Sequence, residues 1–295
     1  MKVRIGVGIS GSQLSLPQIG RLVDDIDRFG FDSLWLSEVL TAQVIDPLVG
    51  LSWAAGRNQK IKLGTTMLLP GRNVVRIAKE LATLDMLSGG RLLVTFVPGL
   101  TAGPEMEAIG VPPKRRSAHI DEVMPVLRRL WAGETVTHHG EAASFSDVTL
   151  SPLPVQQPLE MWLGGNAPAA LERCGRLSDG WLPALCTPDE AAAGKVVIDE
   201  AAARAGRAIS PEHFGVSIGY SHTPLEGPMA AAIAARARGH DPSEVMPVGL
   251  PALRDLMERF LDVGFSKFVV RPSVPPDRLP EEMESLAKAV ADLQT

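Results

Sequence analysis

Short β-branched runs alternate with amphipathic stretches along almost the whole of this 295-residue chain, and nothing else in it constrains the fold as much. Val3, Ile5, Val7 and Ile9 recur at every second position, the period of a strand. Ile19, Leu22, Val23, Ile26 and Phe29 then recur at helical spacing, and Gly30 ends that helix. Ser33–Ser37 reads as a second strand, and Asp46-Pro47 opens a helix to about Gly56 with Asp as its cap. Ile61–Leu69 is a third strand. It is followed by a helix carrying Ile77, Leu81, Leu84 and Leu87 on one face and stopping at Gly89-Gly90. Leu92–Val97 is the fourth strand, and Ile120, Val123, Met124, Leu127, Leu130 and Trp131 form the cleanest amphipathic stripe.

Residues 134–150 break this rhythm and read as a hairpin turning near Gly140. It then resumes: strand Met161–Leu163, a helix from Pro168, strand Gly180–Pro183, helix Asp189–Ala205 and strand Phe214–Tyr220. An Ala-rich helical segment from Pro228, helix Ala252–Val263, strand Lys267–Arg271 and a last helix carrying Leu286, Ala289, Val290 and Leu293 complete the chain. Alternating strands and helices imply a parallel sheet. Eight such units predict an α/β fold, a (β/α)8 TIM barrel with an inserted β-hairpin at about 134–150, formed as one domain over 1–295. The rival, an open doubly wound sheet, loses ground because no Gly-x-Gly-x-x-Gly joins a strand to a helix; residues 4–12 only imitate it.

Composition removes several classes of function. Twenty-nine basic against 34 acidic residues leave a net charge of −5, which gives nucleic acid no footprint. Cys174 and Cys186 form no disulfide framework and match no metal-ligand spacing. No apolar run approaches the ~20 residues of a membrane span, so the expectation is a cytoplasmic protein.

In a barrel, chemistry gathers at the C-terminal ends of the strands. Those ends are Ser10–Ser12, Ser37-Glu38, Thr65–Leu69, Pro98–Thr101, Gly164–Ala167, Trp181, Ser221-His222 and Arg271. Only Glu38, His222 and Arg271 among them titrate, and no two form an acid–base pair. Strand ends so poor in catalysts point to a borrowed organic cofactor. Gly164-Gly165-Asn166-Ala167 joins a strand to a helix, so it is either a plain turn or a backbone cradle for an anion such as phosphate. The six histidines assemble no metal site: His138 and His139, being adjacent, point to opposite faces of a strand. Arg91 is expected to pair with an acid such as Asp85 as scaffold.

Lys62-Leu-Gly-Thr-Thr-Met-Leu-Leu-Pro70, Arg72-Asn73 and Ile77-Ala-Lys-Glu-Leu-Ala-Thr-Leu-Asp-Met-Leu-Ser-Gly-Gly-Arg91 resemble the luciferase-like monooxygenase superfamily. So do Gly110-Val-Pro112, Leu130-Trp-Ala-Gly133, Trp162-Leu-Gly-Gly-Asn-Ala-Pro-Ala169 and Asp179-Gly-Trp181, all in the expected order over residues 1 to about 185. Within it the chain is most similar to the oxidoreductases that use the deazaflavin coenzyme F420, with flavin mononucleotide (FMN) users as close relatives.

The resemblance implies a flavin-like ring across the barrel mouth, with its tail phosphate on Gly164, Gly165, Asn166 and Ala167. It implies a non-prolyl cis peptide at Thr66-Met67 behind the ring, and a homodimer. Arg271, at the end of the eighth strand, is either a further phosphate contact or part of a scaffold salt bridge. Two departures stand out. Many relatives carry a His after the acid that ends the second strand, where this chain has Ser37-Glu38-Val39; some carry a Glu where this chain has Leu100. Glu38 is then the remaining candidate catalytic group. The expected activity is hydride transfer between F420 and a small organic substrate. The alternatives are an FMN-dependent monooxygenase and a barrel that binds cofactor without turnover.

Overall fold

The fold was described from a computed structural model covering residues 1–9, 14–101 and 103–295. In chain order the elements begin β1 (Arg4–Gly8), α1 (Leu16–Arg28), β2 (Ser33–Ser37), α2 (Pro47–Arg57), β3 (Lys62–Leu68), α3 (Val74–Ser88) and β4 (Leu92–Val97). Next come α4 (Pro104–Ala108), α5 (Pro113–Trp131), β5 (Thr135–His139), β6 (Ser144–Thr149), β7 (Met161–Leu163), α6 (Pro168–Leu177) and β8 (Gly180–Trp181). The remainder is α7 (Pro188–Arg204), β9 (Gly215–Tyr220), α8 (Gly227–Arg236), α9 (Pro242–Val245), α10 (Leu250–Asp262), β10 (Lys267–Pro272) and α11 (Leu279–Val290). Eight strands form the main sheet, with β5 and β6 apart as a hairpin, and the architecture is that of a (β/α)8 barrel.

The chain divides into two compact units. One comprises Met1–Trp35 with Leu163–Thr295, the other Leu36–Trp162. In the first, β1 pairs in parallel with β10 (Ile5 beside Phe268, Val7 beside Val270) and with β2 (Val7 beside Leu34). β10 pairs in turn with β9, with Arg271 beside Gly219. Ile5, Val7, Val23, Ile26 and Phe268 are buried, which is where the alternation of β1 and the stripe of α1 send them. In the second unit β3 pairs with β4, Thr66 beside Thr95 and Met67 beside Phe96.

Local chemistry starts and stops the helices where the sequence indicates. Asp46 accepts from Val49 N at 3.1 Å ahead of α2, and Asn73 from Arg76 N at 3.0 Å ahead of α3. Gly89 ends α3 in the left-handed conformation. The hairpin lies at β5–β6, within the expected segment, and Glu122 of α5 secures its turn by accepting from the N–H groups of Glu141, Ala142 and Ala143.

Two expectations are corrected. Thr66-Met67 is trans, and the cis peptides among the described residues are Ser151-Pro152 and Gln157-Pro158. Thr66 and Met67 lie inside an unbroken parallel ladder that runs on to Leu68, which ordinary extended trans backbone supplies. Nor does Asp85 pair with Arg91: Asp85 accepts from Gln156 N (2.9 Å) and Gln156 Nε2 (2.6 Å), while Arg91 donates to the carbonyls of Ser88 and Ile61. An amide fits both oxygens of the buried carboxylate, and the guanidinium closes the end of α3 instead. Among the described residues no helix is long and apolar enough to cross a membrane.

Candidate functional site

In the unit Leu36–Trp162, Glu38 directly follows β2. Its backbone N–H donates to Thr66 O at 2.8 Å, so two of the expected site residues meet through the main chain. The carboxyl, only 7% exposed, accepts from Leu68 N at 2.8 Å and from Arg72 Nη2 at 2.5 Å, while Arg72 Nε donates to Leu68 O at 2.9 Å. Glu38 and Arg72 thus clamp the chain as it leaves β3, with both carboxylate oxygens engaged. Gly71 belongs to the same bend; its φ of +83° and the nearby Ile109 carbonyl leave no room for a side chain.

Further along β3, Met67 is fully buried and Thr66 half-buried. Thr95 shares a register position, and hence a sheet face, with Thr66. The hydroxyls of Thr95 and Thr65 are buried without a hydrogen-bond partner among the described residues. A buried hydroxyl left unpaired is costly, and one is expected to find a partner.

The loop after β4 is organised by a residue the sequence reading passed over. Arg116 is almost fully buried and donates to the carbonyls of Val111 (2.8 Å), Pro98 (3.3 Å), Met106 (2.7 Å) and Leu100. Leu100, where some relatives are expected to have an acid, is exposed. Glu105, buried in α4, accepts from Leu40 N at 2.8 Å and so ties down the segment after Glu38.

In the other unit, Gly164–Ala167 forms the turn from β7 into α6. Two of its carbonyls are engaged, Gly165 O by Trp181 Nε1 (2.9 Å) and Ala167 O by Leu171 N (3.0 Å), and its Asn166 Nδ2 donates to Ala184 O (2.9 Å). Gly165 has φ +103°, and an added Cβ would lie 3.3 Å from the Ala170 Cβ. No side chain caps α6, the N–H groups of Gly165, Asn166 and Ala167 have no acceptor among the described residues, and Asn166 Oδ1 is buried and unpartnered. Donors ahead of an uncapped ten-residue helix can receive an anion, and the orphan amide oxygen can accept from a hydroxyl.

Arg271 lies near the end of β10 and is not bonded to that turn. Its Nε donates to Ser217 Oγ at 2.8 Å and its Nη1 to Ile9 O at 3.3 Å. No carboxylate among the described residues is within ion-pair distance, and burial alone pushes its pKa down to about 10. Ser10–Ser12, the strand end after β1, lies outside the described residues. Beyond β9, Glu282 of α11 accepts from both the Tyr220 hydroxyl and His222, whose Nε2 lies 2.6 Å away. Tyr220 is fully buried, and burial together with the Glu282 carboxylate drives its pKa far above the usual phenol range. His222 was legible as a strand-end residue, but Glu282, sixty residues away, was not. Burial raises both Cys174 and Cys186 to about 12, so neither thiol is primed as a nucleophile.

A parallel α/β barrel with its polar groups gathered at the strand C-termini is the framework of a barrel enzyme. The chain belongs to the luciferase-like monooxygenase family, whose model matches residues 1–248. It is 27% identical over 194 residues to the F420-dependent glucose-6-phosphate dehydrogenase of Kineococcus radiotolerans, covering 63% of this chain and 56% of that enzyme. It is 36% identical over 126 residues to the FMNH(2)-dependent dimethylsulfone monooxygenase of Pseudomonas putida, covering 41% of this chain and 34% of that one. The chain thus matches about half, or less, of the length of these curated relatives. In fold it is similar to the coenzyme F420 dependent tetrahydromethanopterin reductase from Methanopyrus kandleri, with a TM-score of 0.81, 20% identity and all of both chains covered.

Proposed function

We propose that this enzyme transfers a hydride between coenzyme F420 and a small organic substrate. The observation that carries the reading is the Gly164–Ala167 turn, with the Gly165 and Ala167 carbonyls engaged, the N–H groups of Gly165, Asn166 and Ala167 open and Asn166 Oδ1 unpartnered. These residues fit a phosphate-bearing tail with hydroxyls beside it. Taken by itself, the unit Leu36–Trp162 offers Thr66 and Met67 of β3, with the unpartnered Thr95 hydroxyl on the Thr66 face, as groups suited to the edge of a flavin-like ring. When bound, the deazaflavin supplies the hydride chemistry.

The protein's own part is to bind and orient. Glu38, with both oxygens engaged by Leu68 N and Arg72, acts in this reading as a positioning residue for the end of β3 and not as a proton carrier. The two reactants are held close enough for transfer, which needs close alignment. The family resemblance also makes a homodimer part of the proposal.

The FMN-dependent monooxygenase remains the second reading, favoured by the 36% identity to the Pseudomonas putida enzyme. Fluorescence titration of the purified protein separates the two: saturable binding of F420, stronger than that of reduced FMN, is the expected result. Tight binding of reduced FMN with none of the deazaflavin overturns the first reading.

A further inference from the structure

Among the described residues Arg271 is a cation without an anion. Its strand, β10, lies between β1 and β9, and the residues around its side chain are small or uncharged. A Cβ on Gly8 would lie 2.7 Å from Nη1, so the glycine makes room for the guanidinium. Gly219 stands beside it in the register. Among the described residues two of its five N–H donors are engaged, by Ser217 Oγ and Ile9 O. The undescribed residues that follow Ile9 are Ser10, Gly11, Ser12 and Gln13, none of which is an acid. Every other arginine expected to matter at a strand end has an answer: Arg72 has Glu38, and Arg116 has four carbonyls. A half-buried guanidinium kept without a counter-charge is unfavourable, and its remaining donors match the two oxygens of a carboxylate or phosphate.

The arginine also makes no bond to the Gly164–Ala167 turn. From that turn the chain of contacts runs through Asn166 to Ala184, across the Ala184–Ser217 bridge to β9, and then to β10. Nη1 lies on the far side of β10, over Gly8 and Ile9 of the β1 segment. The open N–H groups of the turn and the open donors of the arginine are separate sets with no bond joining them.

We infer that Arg271 holds an oxyanion of the second reactant: the enzyme's substrate is an organic molecule carrying a carboxylate or phosphate group, received by this guanidinium and not by the cofactor turn. The substrate class rests on the oxidoreductase reading above; the anion site itself does not. In this assignment Arg271 serves the second reactant in place of the cofactor phosphate, because its bonds run to Ser217 and Ile9 and none runs to the turn.

The test uses the full chain, acetate and inorganic phosphate as probes, and thermal melting at constant ionic strength with chloride as the replaced salt. Wild type is expected to show a saturable rise in melting temperature with at least one of the two anions. Arg271→Met is expected to lose that rise, and, with its unpaired charge gone, to melt about 2–4 °C above wild type without added anion. Arg271→Lys, which keeps the charge but not the fork, should retain a weakened response. An anion response unchanged in Arg271→Met, or a lower melting temperature for that variant alone, overturns the site. F420 titration then separates the two sources of the anion. Affinity within twofold of wild type in Arg271→Met supports the substrate assignment, and a tenfold or greater loss overturns it by giving the arginine to the cofactor. Gly165→Ala is expected to lose cofactor and keep the anion response. If neither wild type nor Gly165→Ala binds F420 while the Arg271-dependent response persists, the cofactor reading has failed and the anion site has not.

Discussion

Arg72, four residues beyond β3, and Arg271, near the C-terminal end of β10, both belong to the strand ends where barrel enzymes carry their chemistry, yet they meet opposite surroundings. Arg72 finds the Glu38 carboxylate at 2.5 Å and the Leu68 carbonyl at 2.9 Å. Arg271 finds a serine hydroxyl and one carbonyl, with glycine where a side chain might have carried an acid. The first arrangement is complete within the protein and holds a bend in place. The second is incomplete, and what would complete it is a ligand. A charge answered inside its own unit builds structure, whereas an unanswered one marks where another molecule is to come.

Breaking the completed pair should have the largest effect. Glu38→Ala strips Arg72 of its anion and Leu68 N of its acceptor, and removal of one partner of a buried pair costs about 3 kcal/mol. Urea unfolding should register that loss, and a Glu38/Arg72 double-mutant cycle should show the two substitutions far from additive. A loss below about 0.5 kcal/mol, the range of ordinary surface substitutions, would make Arg72 no different in kind from Arg271 and dissolve the contrast.

Next in size is Tyr220→Phe. It removes a hydroxyl that donates to the buried Glu282, in the same unit as Arg271. Hydrogen bonds to charged groups are worth about 1.5–3 kcal/mol, so a loss near 2 kcal/mol is expected in the same urea experiment. If the variant is instead neutral, a buried charge in this unit needs less satisfaction than supposed, and the case for a ligand at Arg271 weakens with it.

Both partnerships explain where sequence reading stopped. Strand–helix alternation is a local property, so β1 through β4, the hairpin at β5–β6 and the strand-end positions of Glu38, His222 and Arg271 could be read from periodicity. The turn at Gly164–Ala167 was equally legible, because two adjacent glycines before a proline-led helix announce an unusual backbone. Partners separated by 34 residues (Glu38 and Arg72) or 62 (Tyr220 and Glu282) leave no such local trace, since only the closed fold brings them within reach. Asp85 illustrates the same limit: its nearest cation in sequence was the natural guess, and a glutamine 71 residues on is the actual partner.

Gly165→Ala sharpens the comparison from the cofactor side. The residue would have to hold φ near +103° with its Cβ 3.3 Å from that of Ala170, a strain of about 1–2 kcal/mol. Stability should fall by that modest amount while F420 affinity falls at least tenfold, measured by fluorescence titration. Equal small losses in both would remove the turn from the cofactor site.

The smallest effect concerns an answered anion, the mirror image of Arg271. Burial of Glu122 alone would raise its pKa, but hydrogen bonds from His138 and from the N–H groups of Ala142 and Ala143 outweigh it, so the pKa lies below the usual carboxylate value. A carboxylate depressed on folding contributes stability that is present above its unfolded pKa and is lost as pH falls through the folded one. Stability held by Glu122 is therefore intact near neutrality and fades below about pH 4.5, the ordinary range of a glutamate. Glu122→Gln should flatten that acid limb of the urea midpoint against pH, with the β5–β6 hairpin loosening first in hydrogen exchange. Arg271→Met should leave the same limb untouched, because an arginine does not titrate there. Parallel acid limbs for Glu122→Gln and wild type would mean that the hairpin turn is held by its backbone and that Glu122, despite its partners, answers nothing.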